Sequence, residues 1–454
     1  MTETAQPIRA DEFQAAASPG RVRLLCDVVG MLPANLAFWT GRPWRNVPEA
    51  RPESFGAFLG INVTAGADGQ TDDYVLERIL ELGIRQVRID LGDAATARNA
   101  LRLARSISEA GLRVVCHMVQ SPELAARTSA AELAPWKAFC ESVAGELGGA
   151  AEAMEAGSAP NRHRWSGHTA AGYVETARAV FEAARSAGIE AWAPNVSDFE
   201  PFYSVGLLAA LASAGLVPDR HSVNLFVDRA GTPEAVDAHA FPFRADLHGK
   251  ARLLAAAGRH FGCASTVSTF AYWTLDTAGR GRRRYVDEDA YARLAVRYLA
   301  IAACCGWLDR AYWGQMVGHA KGLIDDGTTL RPRPPVAHHS FVLHGEVGNY
   351  RARPGFEAIR RMTARLGPLR PGGLVREDGV WRCEFTSDDE MWTVAWSPDG
   401  ERKTPAALLE GAEAVEDIFG RATPRDDAAG LRPSPLFFRT NASARSGAAS
   451  GPGE

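Results

Sequence analysis

From about residue 55 onward the chain repeats one supersecondary unit, a short run rich in β-branched and aromatic residues followed by a longer run with helical periodicity. No other feature restricts the fold as strongly. The strand candidates are 56–63, 86–91, 112–119, 150–157, 190–196, 221–227, 264–270 and 310–317. Helical runs cover 71–83, 96–110, 129–147, 169–187, 206–216, 245–261 and 287–303. In the first of these Thr71 is placed to cap the N-terminus, Asp72 and Asp73 favour the helix dipole, and Val75, Ile79 and Leu82 share a face. Glycine marks the helix-to-strand junctions in ELGIR, EAGLR and SAGIE. Eight βα units over roughly 310 residues predict an α/β protein, a (β/α)8 TIM barrel.

The flanks have a different texture. After about residue 370, DGVWRCEF and EMWTVAW alternate apolar and polar residues with period two, and Asp-Gly pairs mark hairpin turns, which predicts a small β-sandwich over 369–440. Residues 441–454 are small and polar and are expected to be a disordered tail. That leaves 55–368 for the barrel and 1–54 as an N-terminal extension, whose apolar run LLCDVVGMLPANLAFW suits it to packing on the body.

With 46% hydrophobic and 23% charged residues the chain can bury a full core, and a net charge of −4 over 454 residues gives no global attraction to nucleic acid or anionic membrane. The N-terminus lacks a basic segment followed by an apolar one, and no apolar run reads as long enough to span a bilayer, so a cytoplasmic location is expected. The seven cysteines are scattered without a C-x-x-C pair, and the tandem His338-His339 lies in a proline-rich connector without neighbouring ligands. Neither a metal nor another cofactor is expected.

In a TIM barrel the functional groups stand at the C-terminal ends of the strands. Here those positions carry Asn62, Asp90, Gln120 and the runs GSAPNRHRW, NVSDFEPFY, NLFVDR, STFAYWTLD and YWGQMV. Aromatic faces stack on the C–H faces of sugar rings while amide, carboxylate and guanidinium groups bond hydroxyls, so a saccharide cleft is expected, with an oligosaccharide or glycan precursor as partner. Candidate substrate-binding residues are Arg88, Asn161, Arg162, Trp165, Asn224, Tyr272, Trp273, Arg283, Trp313 and Gln315.

These segments resemble the clan-A glycoside hydrolases. ELGIRQVRIDL resembles their second barrel strand, whose arginine, here Arg88, orients the nucleophile. MEAGSAPNRHRWSG is similar to their fourth-strand run of W-E-I-G-N-E-P-N type. NVSDFEPFYSVGLLAAL, NLFVDRAGTPEAVD and the long segment from Tyr285 to Asp326 resemble a bacterial, xylosidase-like branch associated with lipopolysaccharide and surface-polysaccharide loci. The resemblance implies a glycoside-hydrolase barrel acting on glycans.

The chemistry departs from that family. Its acid/base glutamate ends strand four and its nucleophilic glutamate ends strand seven, about 5 Å apart in retaining enzymes. The first position falls on Ala159 and the second on Thr269 or, with a shift of one, Phe270. Two readings stay open: a catalytically degenerate protein that binds a glycan, or an active hydrolase or transferase drawing carboxylates from elsewhere, such as Asp198 and Glu200. Arg162, Arg164, Arg229, Arg280, Arg282, Arg283 and Arg284 all fall in loops expected on one barrel face, which suits an anionic glycan and equally a solvated basic loop paired with Asp287, Glu288 and Asp289.

Overall fold

In the computed structural model of the chain, which describes residues 20–92, 94–227, 231–236, 245–277, 279, 285–328, 342–343 and 345–441, eight parallel strands close on themselves. They are β1 (Leu59–Val63), β2 (Gln86–Leu91), β3 (Arg113–Met118), β4 (Ala151–Ala156), β5 (Glu190–Ser197), β6 (Arg220–Asn224), β7 (Ser265–Ala271) and β8 (Arg310–Gln315). Around the ring the order is sequential, and β1 pairs with β8 to close it. Helix α1 (Arg21–Gly41) precedes the barrel. One long helix then follows each strand: α2 (Gly69–Leu82), α3 (Ala94–Glu109), α4 (Ala130–Leu147), α5 (Ala170–Ala187), α6 (Pro201–Ser213), α7 (Leu247–His260), α8 (Glu288–Cys304) and α9 (Pro354–Leu366). The expected (β/α)8 barrel is thus present.

Two local expectations shift. The cap of α2 is Asp68 rather than Thr71, because the Asp68 carboxylate accepts from the Thr71 backbone N–H at 2.8 Å and starts the helix two residues earlier. Residues 55–58 are a helical turn instead of the start of β1, capped by Ser54 Oγ accepting from Ala57 N at 3.1 Å.

Strand alternation sorts side chains between the helices and the barrel interior. At the N-terminal end of the interior, Arg310 holds Glu152 through two bonds of 2.6 and 2.8 Å, and Arg220 pairs with Glu190 and Asp309. Above them sits an apolar layer of Val115, Ala153, Trp192, Val267 and Tyr312. Gly60 makes this layer possible, since a Cβ there would lie 2.4 Å from the Tyr312 ring. The barrel is therefore solid below its mouth.

The C-terminal unit is an antiparallel sheet of β9 (Arg370–Glu377), β10 (Val380–Thr386), β11 (Glu390–Trp396), β12 (Ala414–Glu416) and β13 (Leu436–Asn441), in the order β9-β10-β11-β13-β12. The Asp-Gly turn between β9 and β10 is realised by Asp378 and Gly379, both at positive φ (50° and 77°). Its second layer is a short ribbon, Arg402–Lys403 with Gly430–Leu431, and the helix Ala406–Glu410. The other face joins the barrel: Phe385 packs edge-on against Phe55, and Trp396 Nε1 donates at 2.7 Å to Glu234, itself ion-paired with Arg297 of α8.

Helix α1 packs on α6 through Met31, Asn35 and Phe38, with Asn35 Nδ2 donating to the Phe202 carbonyl at 3.0 Å. Among the described residues it is the one helix long and apolar enough, by length and composition, to cross a membrane, a property the sequence reading did not assign to this run. It lies against the protein body, and the Asp27 carboxylate within it accepts from the Ala170 N–H at the start of α5 at 3.0 Å.

Candidate functional site

Above the apolar layer the barrel interior turns polar, because β1 to β7 place Asn62, Arg88, His117, Glu155, Asn195, Asn224 and Thr269 inward at their C-terminal ends. Arg88 is the hub. It is almost fully buried, and its Nε donates to Glu155 Oε2 at 2.6 Å while Nη1 donates to Asn62 Oδ1 at 2.8 Å and Asp90 Oδ1 at 3.2 Å. Asn195 Nδ2 holds the other Glu155 oxygen at 2.6 Å. Burial alone raises a carboxyl pKa, yet the charge of Arg88 and the bonds from Asn195 and Arg88 outweigh it and hold Glu155 below its ordinary value. Glu155 is consequently an anion locked between two donors.

His117 of β3 sits beside it, with Nδ1 2.7 Å from Asp90 Oδ1. Burial and the neighbouring Arg88 charge push its pKa down, against the pull of Asp90, so the imidazole is held neutral. Asp90 is the one carboxylate of this layer with appreciable exposure, 23% of its side chain.

The two positions that the family resemblance assigns to catalytic glutamates carry no carboxylate here. Ala159 lies in the β4–α5 loop at φ 46°, its N–H bonded to Asn195 Oδ1 at 3.1 Å. Thr269 is fully buried, its hydroxyl donating to Asn224 Oδ1 at 3.1 Å, and Phe270 next to it is half-buried and meets Phe226 edge-on at 5.9 Å. Asp198 and Glu200 both meet Arg162: Glu200 Oε1 at 2.8 Å from Nη1, and Asp198 on Nη2. The D-F-E carboxylates, expected as a catalytic pair, and the arginine of the β4 loop, expected as an anion ligand, are thus ion-paired with each other.

Asn161 forms an amide pair with the backbone of Ser197, donating at 2.8 Å and accepting at 2.9 Å, and so ties the β4 and β5 loops together. Asn224 belongs to the polar layer and Gln315 is half-buried at the end of β8. Tyr272 is half-exposed on an aromatic shelf with Phe226 and Phe270, ring centroids 5.1 and 5.2 Å away, and the Lys321 ammonium lies 4.1 Å from its ring. On the β4–β5 side, His163 and Tyr203 form a second ring pair at 5.7 Å.

Contrary to expectation, Trp273 and Trp313 do not line the mouth. Both rings are buried and stack at 6.1 Å, and their Nε1 donors are taken by the Gly231 carbonyl and the Tyr291 hydroxyl. Arg283 and the side chain of Trp165 lie outside the described residues, as do Asp228, Arg229, Arg280, Arg282, Arg284, His338, His339 and the side chain of Arg164. Sequence reasoning passed over His117 and included Asn195 only as the first residue of the run NVSDFEPFY, without singling it out. The signal for His117 is present in LRVVCHMV, where a polar residue falls on the same alternation as the inward Val115. Asn195 is less legible, because a register shift between Pro194 and Val196 and a φ of 55° turn it inward out of phase with the strand.

No protein-family model matches this chain, and no curated protein does. Solved structures do. A family 39 glycoside hydrolase from Bacteroides cellulosilyticus WH2 superposes with a TM-score of 0.63 at 15% identity, over 87% of this chain and 83% of that one. A GH30 endoxylanase from Clostridium papyrosolvens C71 gives 0.52 at 11% identity, over 87% of this chain and 98% of the other. An α-L-arabinofuranosidase from Thermotoga maritima gives 0.52 at 13%, with coverage of 87% and 98%. The chain has the fold of glycoside-hydrolase barrels.

Proposed function

We propose that this protein is a glycan-binding barrel on a glycoside-hydrolase scaffold, without the carboxylate pair of a retaining glycosidase. The observation that carries this reading is the state of the mouth carboxylates. Asp90 and Glu155 are engaged by Arg88, Asp198 and Glu200 by Arg162, and Ala159 and Thr269 stand where the family resemblance puts the catalytic glutamates. A retaining mechanism needs two carboxyl groups about 5 Å apart across the scissile bond, one of them able to hold a proton. Glu155, held below its ordinary pKa by Arg88 and Asn195, stays ionised and is a poor proton donor.

Binding falls to the aromatic shelf of Phe226, Phe270 and Tyr272, with Asn224 and Gln315 as hydroxyl partners. The purified protein is expected to show no turnover above a buffer blank on aryl β-glycosides. Hydrolysis abolished by Glu200→Gln or Asp198→Asn overturns that expectation and moves the chemistry to the D-F-E segment. For binding, Tyr272→Ala is expected to weaken oligosaccharide affinity by up to about 10-fold in calorimetric titration, the size of one lost ring contact.

The ligand class is proposed from the loop after β7, whose GRGRRRY sequence supplies Arg280, Arg282, Arg283 and Arg284. These suit a phosphorylated or uronic-acid-containing glycan of the kind met in surface-polysaccharide or lipopolysaccharide metabolism. A phosphorylated oligosaccharide is expected to bind more tightly than its neutral match, and less so as salt rises. Equal affinities, or no loss in an Arg282→Ala, Arg283→Ala, Arg284→Ala triple variant, would make the loop an ordinary solvated one.

A further inference from the structure

Helix α1 has a second apolar face that nothing among the described residues covers. Met31, Asn35 and Phe38 are spent on α6, yet Val22, Leu25, Val29, Leu32 and Leu36 are 50–77% exposed. Their spacing of three, four, three and four residues sets them in one straight ridge, the a/d pattern of a paired helix, with Val at two a positions and Leu at both d positions. Beside the ridge run the exposed small residues Cys26, Gly30, Pro33 and Ala37. At 3.6 residues per turn, ridge and furrow together span about 160° of the helix circumference. No charged residue from Leu24 to Gly41 lies on that arc, since Asp27 is turned inward to Ala170.

We infer that this face is an interface with a second copy of the chain, the α1 ridge of each protomer seated in the furrow of the other across a two-fold axis. A ridge with its own complementary furrow on one surface is what an isologous contact needs. The five ridge side chains alone present on the order of 500 Å² of apolar surface, toward the upper end of the largest patch on a typical monomer, where such patches are often functional, and most of the roughly 800 Å² per partner of a stable interface. The alternative occupant, a lipid surface, fits less well. The arc has no Lys and no aromatic residue, and the half-buried Trp39 is bonded inward to Asn35 at 3.2 Å.

The test is sedimentation or light scattering of the full-length protein over a concentration series, with a vesicle-flotation arm using neutral and anionic liposomes. Wild type is expected to shift toward twice the monomer mass as concentration rises. Leu25→Glu with Leu32→Glu is expected to raise the dissociation constant by at least about 100-fold, because an unpaired carboxylate would be buried at the contact. Leu80→Glu, at a comparably exposed leucine on α2, is expected to leave it unchanged. Far-ultraviolet circular dichroism confirms that each variant is folded. A wild type that stays monomeric, a dimer indifferent to the α1 substitutions, or α1-dependent flotation of a monomer would each overturn the inference.

Discussion

Glu155 is the residue on which the mouth of the barrel depends. Fully buried and clamped by Arg88 and Asn195, it cancels a guanidinium that is itself only 3% exposed. Glu155→Gln leaves that cation with Asp90 as its anionic partner among the described residues, and is expected to cost about 3–5 kcal/mol in guanidinium unfolding. The pH dependence has a definite sign. Because its folded pKa is lowered, the carboxylate stabilises the protein above the ordinary carboxylate range near pH 4.3 and loses that contribution as pH falls below it. The variant should therefore converge on wild type in acid. At this scale the sequence was partly legible: Arg88 and Asn224 were recognisable as inward polar residues. The pairing of Arg162 with Asp198 and Glu200 was not, since a basic loop looks solvated until the chain 36 residues later is folded onto it.

An element-scale consequence comes from β6 and α7. Strand alternation sends Ser222 and Asn224 inward and His221 outward under α7, where Nδ1 meets the Leu254 carbonyl at 3.0 Å. Gly258 leaves room for it, since a Cβ there would lie 2.8 Å from the His221 Cβ. Burial pushes the His221 pKa down to about 4, and that of His168 at the start of α5 down to about 3. Both stay neutral in the folded chain while the unfolded chain takes up their protons near pH 6.5. Stability is therefore expected to fall as pH drops from about 6.5 toward 4, by up to about 1.4 kcal/mol per pH unit for each histidine. His221→Leu should flatten the slope between pH 6 and 5 by about that amount, read from denaturant midpoints. Elements were the most legible level of all: every barrel strand shows as a short β-rich run and the helices after the first seven show in the 3.6-residue pattern, while the last, α9, was not read. What failed at this level was local competition, an Asp68 carboxylate outbidding Thr71 for a helix start and a bulge in β5 inverting Asn195.

Taken as a whole, barrel and C-terminal sheet share a buried junction rather than a linker. Glu234 collects Arg297 from α8 and Trp396 from β11, and Cys304 Sγ lies 3.4 Å from the Glu384 carbonyl. Calorimetry is expected to show one unfolding transition, and Glu234→Gln should lower its temperature without splitting it, whereas a separate low-temperature peak would mean that the sheet unfolds alone. The packed surroundings of Thr269 also bear on history. On the reading proposed above, an ancestor with a glutamate at 159 and another at 269 could lose either by a single substitution. The reverse path is longer. At 269 a new carboxylate would enter a fully buried niche whose polar neighbours, Asn195 and Asn224, are already bonded to each other, Asn195 also to Glu155. On that reading hydrolysis would return only after the neighbourhood had been rebuilt, the close packing at 269 acting as a ratchet acts on a wheel.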